Sequence, residues 1–129
     1  MAKIYLAVPI IANRDLKKAL FFSQIFLAHG HEIISKWVLS EDPGLAISPS
    51  ELFLRDVSGV KNCDILVAEI SDRSHGVGME IMLAYLSGKK IMCFFRKGTH
   101  ISRLILGIPN ATFIEYSSEN EVIEKLKKW

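Results

Sequence analysis

The chain has 129 residues, 50% hydrophobic, 23% charged and 9% aromatic, with eight Gly and four Pro. That composition is expected of one compact domain over residues 1–129, not of a tail or a fibre. The longest apolar run, Ile4 to Ala12, carries Pro9 and is far shorter than the ~20 residues of a membrane helix. Met1-Ala2-Lys3 leads straight into a strand-like run without the parts of a secretory signal, so the expectation is a cytoplasmic protein with no membrane partner. Sixteen Lys plus Arg against fourteen Asp plus Glu gives +2, which argues against polymeric nucleic acid as a partner.

Short β-rich apolar runs alternate with stretches of helical period. In chain order the pattern predicts a strand over Lys3 to Val8, a helix over Arg14 to Ala28, a strand over Glu32 to Val38 and a helix over Pro49 to Lys61. There follow a strand over Asp64 to Ile70, a helix over Gly76 to Ser87, a strand over Lys90 to Phe95 and a short helix over His100 to Leu106. A strand over Thr112 to Glu115 and a helix over Glu119 to Lys128 complete the pattern. Such alternation predicts an α/β fold, a doubly wound five-stranded parallel sheet with helices on both faces. In a 2-1-3-4-5 order, the one expected of this chain, the ligand crevice lies between the loops after the first and third strands.

In the first helix Leu16, Leu20, Ile25 and Leu27 fall near one stripe, and His29-Gly30 closes it with a C′ glycine. Ser48-Pro49 reads as an N-cap followed by proline at the first helical position. Ile65-Leu66-Val67-Ala68 is apolar throughout, as a strand covered on both faces should be. Ser40 to Ser50 is a polar loop long enough to act as a lid. Cys63 and Cys93 sit in or beside apolar runs and read as small hydrophobes, with no disulfide framework or CxxC motif. The four histidines show no metal-ligand spacing, so neither metal nor other cofactor is expected.

The stretch from Asp64 to Glu80 is the most informative: a buried strand, a polar loop, and Gly76-Val77-Gly78 opening a helix. Backbone amides at that helix N-terminus, with Ser74, form a cradle for a phosphate or carboxylate; the alternative is a tight turn with Ser74 as a cap. The spacing fits neither Gly-x-Gly-x-x-Gly nor a Walker A loop. Glu80, just inside the helix, either complements the macrodipole or serves as a nucleophile or base whose pKa the helix N-terminus lowers. Asp56 of Arg55-Asp56 offers the second carboxylate that glycosidic chemistry requires, or is an exposed helix residue, solvated or paired with a neighbour such as Arg55. Trp37 either stacks on a base or covers a core edge.

These residues resemble the nucleoside 2-deoxyribosyltransferase superfamily, and within it the 2′-deoxynucleoside 5′-monophosphate N-glycosidases. The resemblance rests on Lys3-Ile4-Tyr5-Leu6-Ala7, Arg55-Asp56 with the following Asp64, Val67-Ala68-Glu69-Ile70, Ser74-x-Gly76-Val77-Gly78-x-Glu80 and Gly88-Lys89-Lys90. It implies hydrolysis of 2′-deoxynucleoside 5′-monophosphates to free base and 2-deoxyribose 5-phosphate through a covalent glycosyl-glutamate. It also implies a flavodoxin- or Rossmann-like sheet, a homodimer with a composite active site and a small-molecule nucleotide as substrate. By the resemblance Glu80 is the nucleophile, Asp56 positions the sugar and assists proton transfer, and Tyr5 lies against the sugar. Ser74, Gly76 and Gly78 take the 5′-phosphate, joined by Ser102 from across the dimer. Pro9 and Ile10, with Trp37, lie about the base and sugar.

The chain has Val8-Pro9-Ile10-Ile11 where the hydrolases have Gly-Ser-Ile-Arg, so one phosphate-binding serine and one arginine are missing; Arg14 or Asn13 are the replacement donors at hand. Trp37 stands where the hydrolases can carry a histidine. The basic end, Lys125-Leu126-Lys127-Lys128-Trp129, replaces the acidic tail of the transferases and favours hydrolysis over transfer. The alternatives are a transferase exchanging bases on free deoxynucleosides, and a nucleotide-binding or sensing module without chemistry.

Overall fold

The computed structural model describes residues 1–11, 14–44 and 46–129. The elements are β1 (Lys3–Ala7), α1 (Leu16–Ala28), β2 (Glu32–Ile33), a 3-10 turn (Lys36–Leu39), α2 (Pro49–Asn62), β3 (Ile65–Glu69), α3 (His75–Leu86), β4 (Lys90–Arg96), α4 (Arg103–Leu106), β5 (Thr112–Tyr116) and α5 (Glu119–Lys127). They form a five-stranded sheet of order β2-β1-β3-β4-β5. Every pairing is parallel, with Leu6 beside Val67, Ala68 beside Cys93 and Phe94 beside Ile114. This is the expected doubly wound order.

The two-residue period of the strands divides the core between the sheet's two faces. Ile4, Leu6, Val67, Met92 and Phe94 pack with Phe22 and Phe26 of α1 and Val122 and Leu126 of α5. Tyr5, Ala7, Leu66, Ala68 and Cys93 pack with Val60 of α2 and Ile81 and Ala84 of α3. All of β3 is buried, in agreement with the unbroken apolar run from Ile65 to Ala68. Burial raises the Cys63 thiol to about 11 and the Cys93 thiol to about 12, so both remain protonated and behave as apolar side chains.

Helix starts follow the sequence. Asp15, Ser48, Ser74, Ser102 and Ser118 each accept a backbone N–H of their own helix's first turn, satisfying donors the helix itself cannot. Gly30, at φ +83°, ends the turn after α1 as expected.

Two expectations are corrected. The second strand does not run from Glu32 to Val38: pairing with β1 ends at Ile33, and the chain turns into the 3-10 segment. The fully buried Ser35 is the reason, because its hydroxyl accepts from Leu6 N at 2.8 Å and donates to Leu6 O at 3.1 Å. A side chain thus supplies what further strand pairing would have supplied. In α1 the buried stripe is Ala19, Phe22, Ser23 and Phe26, joined by Ile25; Leu20 and Leu27 are 37% and 51% exposed. The phenylalanines carry more apolar area than the leucines and take the core face.

A buried carboxylate, Glu69, ends β3. It accepts from the Tyr116 hydroxyl, from Ser71 N at 2.6 Å and from Ser71 Oγ at 3.0 Å, and Lys18 Nζ lies 3.5 Å away. Ser71 Oγ in turn accepts from Arg96 N at 2.9 Å. The cluster ties the ends of β3, β4 and β5 to α1.

Candidate active site

Beyond the carboxyl ends of β1 and β3 lies a cleft of about 360 Å³, at the switch point where doubly wound sheets bind ligands. Val8, Ile10 and Ile11 form one wall, Trp37 and Val38 another, and Arg73, Ser74, His75 and Gly76 the rim opposite; Asp56 and Glu80 reach in from α2 and α3. A second hollow of about 550 Å³ shares Leu52, Asp56, Gly76 and Glu80 and is otherwise lined by apolar side chains of α2 and α3.

The two carboxylates that the sequence could not place together face the same cavities. Glu80 accepts a hydrogen bond from the Tyr5 hydroxyl. Burial, reinforced by the negative charge of Asp56, pushes the Glu80 carboxyl up to about 8, although the Tyr5 hydrogen bond and the Arg55 charge oppose the rise. The expectation of a lowered pKa is therefore wrong. Glu80 lies in the second turn of α3, beyond the first turn over which the helix terminus acts strongly, and burial outweighs the dipole. Burial and the neighbouring carboxyls also drive the Tyr5 phenol far above its ordinary value, so it remains a donor.

Asp56 is no freely solvated helix residue. Arg55 Nε donates to Asp56 Oδ1 at 2.8 Å, and both side chains are largely covered. The Arg55 guanidinium sits 4.3 Å from the centre of the Trp37 ring, and Trp37 meets Tyr5 edge-on at 5.9 Å. Trp37 thus lines the cleft and also packs on both core clusters. Sequence reasoning missed Gly59 of α2. A Cβ there would stand 2.8 Å from Tyr5 Cε2 and 3.2 Å from Trp37 Cη2, so the glycine admits both rings beside the helix; a lone glycine inside a helical pattern was the available signal.

At the other end of the cleft Ser74 accepts from Val77 N at 3.2 Å and caps α3, as the cap alternative foresaw. The Gly78 amide donates to Ser74 O, which leaves the amides of His75 and Gly76 as those the first turn does not itself use. Gly76 lines both cavities, whereas Gly78 lines neither. Ile10 lines the cleft, whereas Pro9 is buried and does not line it. Ser102 is exposed on α4, where it caps Ile105 N, and lines neither cavity of its own chain.

Arg14 is no replacement phosphate donor: its guanidinium donates to the carbonyls of Val38, Ser40 and Glu41. Asn13 lies outside the described residues. Arg14 and Arg55, the latter through Pro43 O at 2.9 Å, fasten the loop expected to act as a lid.

A largely buried glutamate bonded by a tyrosine, with an aspartate beside it, stands at the switch point of this sheet. The class of the protein follows from comparison with known proteins. The chain is 34% identical over 96% of its length, and 92% of the relative's, to a protein of Thermofilum pendens named as a 2′-deoxynucleoside 5′-phosphate N-hydrolase. The 2-deoxyribosyltransferase of Bacillus psychrosaccharolyticus superposes with a TM-score of 0.71 at 25% identity, covering 95% of this chain and 90% of that one. A CMP N-glycosidase of Clostridium botulinum shares the fold, with a TM-score of 0.78 at 24% identity over 98% of both chains. No protein-family model matches. The chain belongs to the 2′-deoxynucleoside 5′-phosphate N-hydrolase family, within the nucleoside 2-deoxyribosyltransferase superfamily.

No helix among the described residues is long and apolar enough to cross a membrane.

Proposed function

We propose that the protein hydrolyses the N-glycosidic bond of 2′-deoxynucleoside 5′-monophosphates. The observation that carries this reading is the Tyr5–Glu80 hydrogen bond with Asp56 beside it in one cleft. Ionised Glu80 attacks C1′ as the C1′–N bond breaks, giving a glycosyl ester; the leaving base takes a proton from solvent water, and the Asp56 carboxylate accepts the proton of the water that opens the ester and frees Glu80. A buried carboxylate short of compensating charge gains most from positive charge developing at C1′, and that gain is largest in the transition state. A deoxyribosyl centre lacks the electron-withdrawing 2′-hydroxyl and reaches that state more readily.

In this reading Tyr5 holds Glu80 against the sugar, Ile10 and Trp37 flank sugar and base, and the α3 N-terminus at Ser74 and Gly76 receives the phosphate. A second copy of the chain completes the site. Phe53, Leu54, Met79 and Leu86 are each more than half exposed, three of them on the hollow into which Asp56 and Glu80 open; so large an apolar surface suits a partner. Ser102 would then reach the phosphate from that copy.

The test is chromatography of protein incubated with each 2′-deoxynucleoside 5′-monophosphate, with its free nucleoside, and with a second base added. The reading expects base and 2-deoxyribose 5-phosphate from the monophosphates alone. Base exchange on free nucleosides would make the protein a transferase, and tight binding without product would make it a nucleotide-binding module.

A further inference from the structure

We propose that Arg55 is a positioning residue for this chemistry, a brace that sets Asp56, the Trp37 wall and the 43–44 loop in register with Glu80. The inference rests on the proposed hydrolase reading. One guanidinium makes all three connections: Nε to Asp56 Oδ1 at 2.8 Å, Nη1 to Pro43 O at 2.9 Å, and its plane over Trp37 at 4.3 Å. The loop is shaped to receive it. Gly44 has φ +99°, and a Cβ at that position would collide with Nη1, so the loop's backbone and its lack of a side chain both accommodate the arginine. The remaining nitrogen, Nη2, is buried without a hydrogen-bond partner among the described residues. Such a cost is borne where the rest of the fork is fixed by its other contacts.

The brace extends to the reacting group through Trp37, whose edge contact with Tyr5 lies one step from the Tyr5–Glu80 hydrogen bond. The charged and titratable groups facing Glu80 are Tyr5 from β1 and Asp56 and Arg55 from α2, with Arg73 and His75 on the rim of the cleft. Arg55 is the cation among them that lowers the proton affinity of Glu80. A lysine would keep the charge and lose the planar fork; a methionine would lose both.

Wild type, Arg55→Lys and Arg55→Met are compared by two measurements. One is the pH profile of kcat and KM for base release from a 2′-deoxynucleoside 5′-monophosphate. The other is the titration of the Glu80 carboxyl-carbon NMR signal in unliganded protein, identified by its loss in Glu80→Gln. Arg55→Met is expected to lower kcat/KM roughly a hundredfold and to move both the acid limb and the Glu80 midpoint upward. Arg55→Lys is expected to leave that midpoint close to wild type while raising KM about tenfold.

If Arg55→Met does not fold, the KM of Arg55→Lys decides, and a wild-type value overturns the proposal. A folded Arg55→Met with an unmoved Glu80 midpoint and an unmoved profile overturns it too, as does a variant that loses only melting temperature. Wild-type protein that releases no base, with the midpoint shift still present, overturns the hydrolase reading and leaves the brace on Glu80 standing.

Discussion

The phenol of Tyr5 donates to Oε2 of Glu80 across 75 positions of sequence. Tyr5 belongs to β1 and Glu80 to α3, and parallel pairing of β1 with β3 brings the strand that leads into α3 alongside. The bond opposes the burial that raises the carboxyl to about 8. Tyr5→Phe keeps the ring packed and removes the donor. The Glu80 midpoint should rise by about one further unit. Since the nucleophile must be ionised, kcat/KM at neutral pH should fall at least about tenfold and recover in part as the pH is raised. An acid limb left where wild type has it would sever the bond from the chemistry.

Glu80→Gln should abolish base release while nucleotide still binds, and should also stabilise the fold. The folded-state value of about 8 lies above the ordinary 4.5, so between those values the folded protein holds a proton that the unfolded chain has released. Wild-type stability therefore falls as pH rises through that window. Glutamine does not titrate. The variant's advantage should be small at acid pH, grow through the window and level off above about 8, at a few kcal/mol. Thermal melts of both proteins across that range measure it, and a constant difference would argue against a raised carboxyl.

Much of this arrangement was legible in the sequence because the governing signals are local. Alternating apolar runs gave the class of sheet, Ser48 and Ser74 marked helix starts, and Ser74 to Glu80 marked the rim of the cleft. What was not legible depends on tertiary contact. Nothing near Glu32 announces that Ser35 will take over the hydrogen bonds of Leu6 and end the strand. Arg14 reads as a free cation until the carbonyls of Val38, Ser40 and Glu41 surround it. The dipole argument for Glu80 was sound for an exposed side chain and failed because burial, which sequence position does not report, was the larger effect.

Glu69 and Tyr116 repeat the carboxylate–phenol pair on the α1 side of the sheet, away from the cleft. Tyr116→Phe removes one of the donors to a buried carboxylate and should cost about 1–3 kcal/mol of stability. Because the pair lines neither cavity at the switch point, kcat/KM should stay at the wild-type value. Denaturant unfolding together with steady-state rates separates the two effects, and a loss of rate in the folded variant would bring Glu69 into the mechanism.

Gly59→Ala tests how closely the rings are set. Alanine inside a helix is normally better than glycine by about 1 kcal/mol. Here the added carbon would lie 2.8 Å from the Tyr5 ring, closer than van der Waals contact, and overpacking of this kind costs about 1–3 kcal/mol. The variant should melt lower than wild type, and the displaced Tyr5 should lower kcat. A higher melting temperature would mean that the rings give way freely.

Gly76→Ala separates the phosphate end of the site from the reacting end. A Cβ at Gly76 would find only Ser74 Oγ, at 3.9 Å, within contact range, so nothing in the chain itself requires glycine there. Yet glycine so near a helix start forgoes about 0.5–1 kcal/mol of helix stability. The space it leaves opens on the cleft, where a phosphate approaching the His75 and Gly76 amides would meet the new methyl. Gly76→Ala should therefore melt slightly higher than wild type and raise KM for the monophosphates about tenfold, with kcat little changed. The affinity for the free nucleoside, read as inhibition of monophosphate cleavage, should be unaffected. A proportionate loss of affinity for both compounds would move the phosphate away from α3 and leave Gly76 as a boundary of the sugar pocket.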